Sequence, residues 1–269
     1  MRSSRMLAIG VTALTLGVAA TIAGAAIPAE AASTVRFVAL GDSYSSGVGA
    51  GGTSGPCGQS PNAFPKLWAV ANSVASFTFA ACSGARTGDV MSSQLSSLST
   101  ATTLVSITIG GNDAGFPSIM ETCVLKSTSS CENAVAAGEK YAAGTLPGLL
   151  DATLARIRAH APNAKVIVVG YPDFYDLSAW FCIGLSGADH RALDAGINEL
   201  DGVIAAAAAR NGDAFADVRA QFSGHELCDG AHWLTSVTLP IGNSYHPTSA
   251  GQKNGYLPVF SAAAARAGQ

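Results

Sequence analysis

An α/β fold, with a mainly parallel five-stranded sheet held between two layers of helix, is what this sequence predicts. Three observations carry the prediction. From residue 35 onward, short apolar or β-branched runs alternate with longer helical stretches, the order that yields parallel strands joined by crossover helices. One run, 164–169 (AKVIVV), is uninterrupted and bounded by turn residues, as a strand covered on both faces requires. No repeat, low-complexity tract or linker divides residues 33–269.

The chain opens with Arg2 and Arg5, an apolar stretch over about 6–27, and Ala29 and Ala31 around Glu30. This is the pattern of a secretory leader. Its length also suits a membrane anchor, but the small residues at its end favour cleavage. Residues 1–32 are therefore expected to be removed, leaving 33–269 as one exported domain.

The first strand, over 35–40, runs straight into GDSYSSG, residues 41–47. A serine just past a strand's carboxyl end, with glycines that permit a sharp turn and close approach, is a candidate nucleophile. A glycine-rich loop follows. Gly47, Gly49 and Gly52 match GxGxxG, yet they lead into Pro56 and Pro61 instead of a helix, and no acid lies about twenty residues on. Nucleotide binding is not expected, and the loop reads as a flexible wall beside Ser43.

Phe64, Leu67, Trp68 and Ala71 place a helix over 63–75. A second strand over 77–80 ends in CSGA, a helix over 91–98 follows, and a β-branched third strand over 102–109 ends in GGND. An alanine-rich helical stretch, 131–160, breaks near 144–147 and stops at Pro162. After the strand at 164–169 come a loop with Trp180 and Phe181, a helix over 189–210, a fifth strand over 214–218, a long loop, and a last helix from 249.

A net charge of −3 with 12% charged residues shows none of the clustered Lys and Arg of a nucleic-acid surface. No second long apolar run suggests stable membrane insertion, and transient contact with a lipid interface is compatible with the sequence. All six cysteines lie in 33–269, so disulfides are expected in an oxidising compartment. Of fifteen pairings, the sequential set Cys57–Cys82, Cys123–Cys131 and Cys182–Cys228 is preferred because each closes a loop between neighbouring elements. Without any CxxC pair a zinc site is not expected.

Ser43, Gly84 and Asn112 stand at the ends of three strands, and the carboxyl ends of a parallel sheet share one edge. His246, in GNSYHPTSAG, precedes the helix that packs back onto the sheet. Taken in order, GDSYSSG, CSGA, GGND and SYHPTSAG resemble the four blocks of the SGNH (GDSL) hydrolase family, over the whole of 33–269. In pattern the chain looks like the extracellular lipases, esterases and phospholipases of actinomycetes, which share three sequential disulfides.

The resemblance implies a flavodoxin-like three-layer α/β/α fold and a secreted, monomeric serine hydrolase of lipid or small acyl esters, without metal or cofactor. It implies Ser43 as nucleophile and His246 as base, with an oxyanion hole from the Ser43 and Gly84 N–H groups and the Asn112 amide. Many members carry Asp three residues before the histidine; this chain has Asn243. The Ser244 backbone carbonyl is therefore expected to orient His246, with the Asn243 side chain as an alternative and Asp229 as a reserve acid. Asp42 and Asp113 read as braces. His160, His190, His225 and His232 have no ligand spacing and read as surface or structural residues. Phospholipase A1 or A2 activity and carbohydrate acetylesterase activity are alternatives within the enzyme class. A noncatalytic carbohydrate-binding protein is the alternative outside it, disfavoured because all four blocks are present.

Overall fold

Strands that are apolar on both faces take the middle of the sheet, and weaker ones take its edges. The structure, a computed structural model, describes residues 33–239 and 241–269; the leader expected over 1–32 lies outside the described residues. Among these, β1 (Arg36–Gly41), β2 (Ser76–Phe79), β3 (Leu104–Thr108), β4 (Lys165–Val169) and β5 (Ala214–Ala216) pair in parallel in the order β2-β1-β3-β4-β5. β3 is buried throughout, and β1 and β4 are buried after their first residue, whereas β2 and β5 keep partly open residues at the edges.

The helices are α1 (Ser43–Ser46), α2 (Phe64–Ala71), α3 (Thr87–Ser92), α4 (Phe116–Leu125), α5 (Thr128–Gly144), α6 (Leu146–His160), α7 (Gly187–Arg210), α8 (Arg219–Phe222) and α9 (Leu257–Arg266). α2 and α9 pack together on one face of the sheet, where Phe37 of β1, Trp68 and Phe260 form a mutually packed trio of rings. α7 covers β4 and β5 on the other face with α6 and α3 beside it, and α5 packs against α7 and α4. No helix among the described residues is long and apolar enough to cross a membrane.

Three local differences from the sequence reading have physical causes. The helix expected over 91–98 begins at Thr87, because Asp89 reaches back to accept the Arg86 N–H at 2.9 Å. It ends early, giving way to a 3₁₀ turn over Gln94–Ser97, whose buried Gln94 side chain is committed to both sides of the Gly41 residue. α4 was not anticipated; Gly115, at φ +87°, and Pro117 in its first turn are its start signals. The last helix opens as a π-helical turn over Gly251–Tyr256, where any side chain on Gly255 would run into the Phe222 ring.

The cysteines pair as Cys57–Cys82, Cys123–Cys131 and Cys182–Cys228. The first ties the glycine-rich loop to the segment leaving β2, and the second ties α4 to α5. Replacing Cys57 and Cys82 together by serine should lower the unfolding free energy by about 3 kcal/mol, from reopening a loop of 25 residues' separation. Urea denaturation with and without the pair checks this, and an unchanged midpoint contradicts it.

Candidate active site

In this strand order the chain reverses its winding direction between β1 and β3, the position at which doubly wound sheets bind ligands. β1 leaves the sheet through Gly41, whose φ of +117° and contact with the Thr108 backbone leave no room for a side chain. Asp42 then caps α1. Its fully buried carboxylate accepts from Tyr44 N at 3.0 Å, Thr108 Oγ1 at 2.6 Å and the Tyr171 hydroxyl at 2.5 Å. Burial pushes its pKa up to about 6, against the opposing pull of these donors. Asp42 therefore braces the exits of β1, β3 and β4.

Ser43 stands at the first position of α1, where a helical N–H has no intrahelical partner. Among the described residues neither its N–H nor that of Gly84 donates to another protein group. The Asn112 amide donates one hydrogen to the Ala85 carbonyl at 3.0 Å, which fixes its plane and leaves the second hydrogen free to act. Asp113 accepts from Thr87 N at 3.0 Å and Thr87 Oγ1 at 2.6 Å. It staples the turn that follows β3 to the start of α3, near Gly84.

His246 comes from the segment before α9. Strand-like bonds from Thr235 N to the His246 carbonyl (2.8 Å) and from Thr248 N to the Trp233 carbonyl (2.8 Å) hold that segment. Its ring is buried, and Nε2 lies 2.7 Å from Ser43 Oγ. With the proton on Nδ1, Nε2 accepts from the serine hydroxyl. Nδ1 faces the backbone carbonyls of Asn243 and Ser244, which favour the protonated ring, but neither reaches full hydrogen-bond geometry. Burial dominates and pulls the pKa down to about 4.

The Asn243 side chain is exposed, and Ser244 is buried with its hydroxyl bonded to both Thr238 N and Thr238 O. Asp229 is not brought to His246: one of its oxygens is buried without a partner, and the residue interacts with Glu226. His190 stacks on Tyr175 and His225 on Trp233, with ring centroids 3.7 and 3.6 Å apart.

A cleft is lined by Ser43, Gly84, Asn112, Phe116, Ile241 and His246. Adjoining it, and sharing Ser43, Asn112 and Phe116, a smaller space reaches Tyr171, Phe174, Ile197 and Leu200. Beyond, between α4, α5 and α7, lies a small apolar pocket that shares Phe116, Phe174, Ile197 and Leu200 and adds Val135, Ala142 and Leu193. None of these apolar residues was marked by the sequence, since their role arises only when three helices meet. The glycine-rich loop packs closely at its start, where a side chain on Gly49 would stand 2.8 Å from the Pro247 carbonyl and 2.9 Å from His246 Cβ, and its residues 51–56 are exposed.

The model of the GDSL-like lipase/acylhydrolase family matches residues 39–253. Lipase 1 of Streptomyces coelicolor is 54% identical over 255 residues, 93% of this chain and 95% of that protein. The crystal structure of an extracellular lipase from Streptomyces rimosus is 50% identical with a TM-score of 0.83, over 85% of this chain and 99% of that one. A phospholipase A1 structure from Streptomyces albidoflavus NA297 matches with the same identity, TM-score and coverage.

The depressed His246 pKa has a defined signature. The folded value, about 4, lies below the unfolded 6.5, so the unfolded chain takes up this proton first as pH falls. The neutral ring contributes stability above pH 6.5 and loses it as pH falls toward 4. His246→Ala should flatten the fall in stability between those values by up to about 3 kcal/mol. An NMR titration of the His246 ring should have its midpoint near 4; a midpoint at the ordinary histidine value would contradict the burial argument.

Proposed function

The chain belongs to the GDSL-like lipase/acylhydrolase family and is a carboxylic ester hydrolase, and from that premise we propose that Ser43 and His246 form its catalytic dyad. The single observation that supports this most is the 2.7 Å contact between buried His246 Nε2 and Ser43 Oγ, facing unpartnered N–H donors. Ser43 Oγ attacks the ester carbonyl as His246 Nε2 takes its proton. The developing oxyanion accepts from the Ser43 and Gly84 N–H groups and the Asn112 amide, donors already aimed before reaction. As the intermediate collapses, His246 returns the proton to the departing alcohol and the acyl-enzyme remains. Water, deprotonated by the same ring, then releases the acid and restores Ser43.

A base held near pKa 4 is neutral across the whole ordinary pH range, so it is ready to accept a proton. Its weakness is the imidazolium state, which no carboxylate among the described residues supports. The Asn243 and Ser244 carbonyls are the groups that favour that state.

For the substrate we propose fatty-acyl esters, including the acyl esters of phospholipids, secreted enzyme meeting lipid outside the cell. The relatives named lipase, extracellular lipase and phospholipase A1 point this way. So does the apolar lining beside the cleft, where Phe116, Phe174, Ile197 and Leu200 are shared by two adjoining pockets; an acetyl group needs no such apolar wall, so the acetylesterase reading is the weaker one.

Ser43→Ala and His246→Ala should each abolish turnover of p-nitrophenyl esters. Asn112→Ala should lower kcat by about 10²–10³-fold, and Asn243→Ala should leave it nearly unchanged, since only the backbone of that residue faces the ring. Collapse of Asn243→Ala to the Ser43→Ala level would show that the side chain matters. Ala142→Leu, which fills the inner cavity, should depress long-chain relative to short-chain ester turnover by on the order of ten-fold. An unchanged chain-length profile would remove the cavity from the acyl site.

A further inference from the structure

Tyr44 follows the nucleophile in the chain and Tyr245 precedes the base, and the two residues are joined. The Tyr44 hydroxyl donates to the Tyr245 carbonyl at 2.8 Å, and the Tyr44 and His246 rings lie 5.1 Å apart. Tyr245 is one of three non-glycine residues with positive φ among the described residues, at +64°. That conformation is unfavourable for a bulky side chain and persists only where surroundings impose it. Here they do: Tyr245 is fully buried, its N–H donates to the Thr235 carbonyl at 2.7 Å, and its hydroxyl meets that of Tyr175 at 2.5 Å.

Tyr44 is itself immobilised. Its N–H is held by Asp42, its carbonyl accepts from the buried Gln252 amide at 2.9 Å, and its ring packs edge-on against Tyr171. Burial keeps its hydroxyl protonated far above neutrality, so it remains a donor. A leucine, the residue the family's GDSL name carries after the serine, would fill this space but donate nothing.

We propose that Tyr44 is a positioning residue for His246: by clamping the strained Tyr245 carbonyl it registers the base segment to the nucleophile's own helix. The clamp presents Nδ1 to the Asn243 and Ser244 carbonyls and Nε2 to Ser43, and it does the orienting that an acid at position 243 would do. The inference rests on the Ser43–His246 dyad proposed above.

Tyr256 supplies the control, because it too is a fully buried tyrosine whose hydroxyl donates to a backbone carbonyl, that of Gly170, at 3.0 Å. Tyr44→Phe, Tyr256→Phe, Tyr175→Phe and Ser43→Ala are compared by thermal melting and by ester kinetics, with active sites counted by phosphonate titration. Loss of one buried hydroxyl should lower Tm comparably in Tyr44→Phe and Tyr256→Phe. Of these two, Tyr44→Phe alone should lower kcat, by about ten-fold with KM unchanged, and Tyr175→Phe, which frees the Tyr245 ring, should show a smaller loss of the same kind. Wild-type kcat in Tyr44→Phe, or an equal loss in Tyr256→Phe, overturns the clamp. Should Tyr44→Phe not fold, wild-type kcat in Tyr175→Phe overturns it alone. Retained turnover in Ser43→Ala would instead overturn the dyad on which it rests.

Discussion

The buried carboxylate of Asp42 ties three strand exits into one unit, and the geometry of the site follows from that tie. Its three acceptor bonds run to the first turn of α1, to Thr108 at the end of β3, and to Tyr171 beyond β4. Thr108 also bonds Ser45 N and Ser45 Oγ, so the short helix that carries Ser43 is pinned to the sheet on two sides. A four-residue helix has no stability of its own. Tertiary hydrogen bonds hold it, and they point the Ser43 N–H and hydroxyl into the cleft. The cost is a carboxylate out of water, visible in a pKa raised to about 6; its three donors offset that cost.

His246 is held differently. His246 rides on a segment fixed through its backbone, by Thr235, Trp233 and the strained Tyr245, rather than through a charged partner at Nδ1. This choice shapes its chemistry. A carboxylate would hold the ring and raise its pKa; here backbone carbonyls face it with imperfect geometry and burial lowers the pKa to about 4. Asp42 and His246 consequently pull stability in opposite directions. The raised carboxylate favours the folded state as pH falls below about 6, whereas the depressed imidazole opposes folding as pH falls below 6.5.

Much of this could be read from residues alone, for a physical reason. A parallel sheet gathers its strand ends on one edge, so Ser43, Gly84 and Asn112 could be placed together without knowing any loop, and the structure gathers them with His246 around one cleft. The central strands announced themselves by being apolar on both faces. What stayed hidden depends on side chains meeting across elements. Gln94 looked helical but spends its amide on Gly41. Phe116, Phe174 and Ile197 line a cavity only because α4, α5 and α7 converge. Tyr245 carries no sequence mark of its backbone strain, and Asp229, an acid in the right stretch of chain, turns away toward Glu226.

The most direct test of the account is the pH dependence of covalent labelling by a fluorophosphonate, with the modified peptide mapped by mass spectrometry. The account predicts a single adduct on Ser43, formed at a rate that stays level on acidification until His246 protonates near pH 4. An unlabelled Ser43, or a labelling rate that already halves near the ordinary histidine value of 6.5, would contradict it.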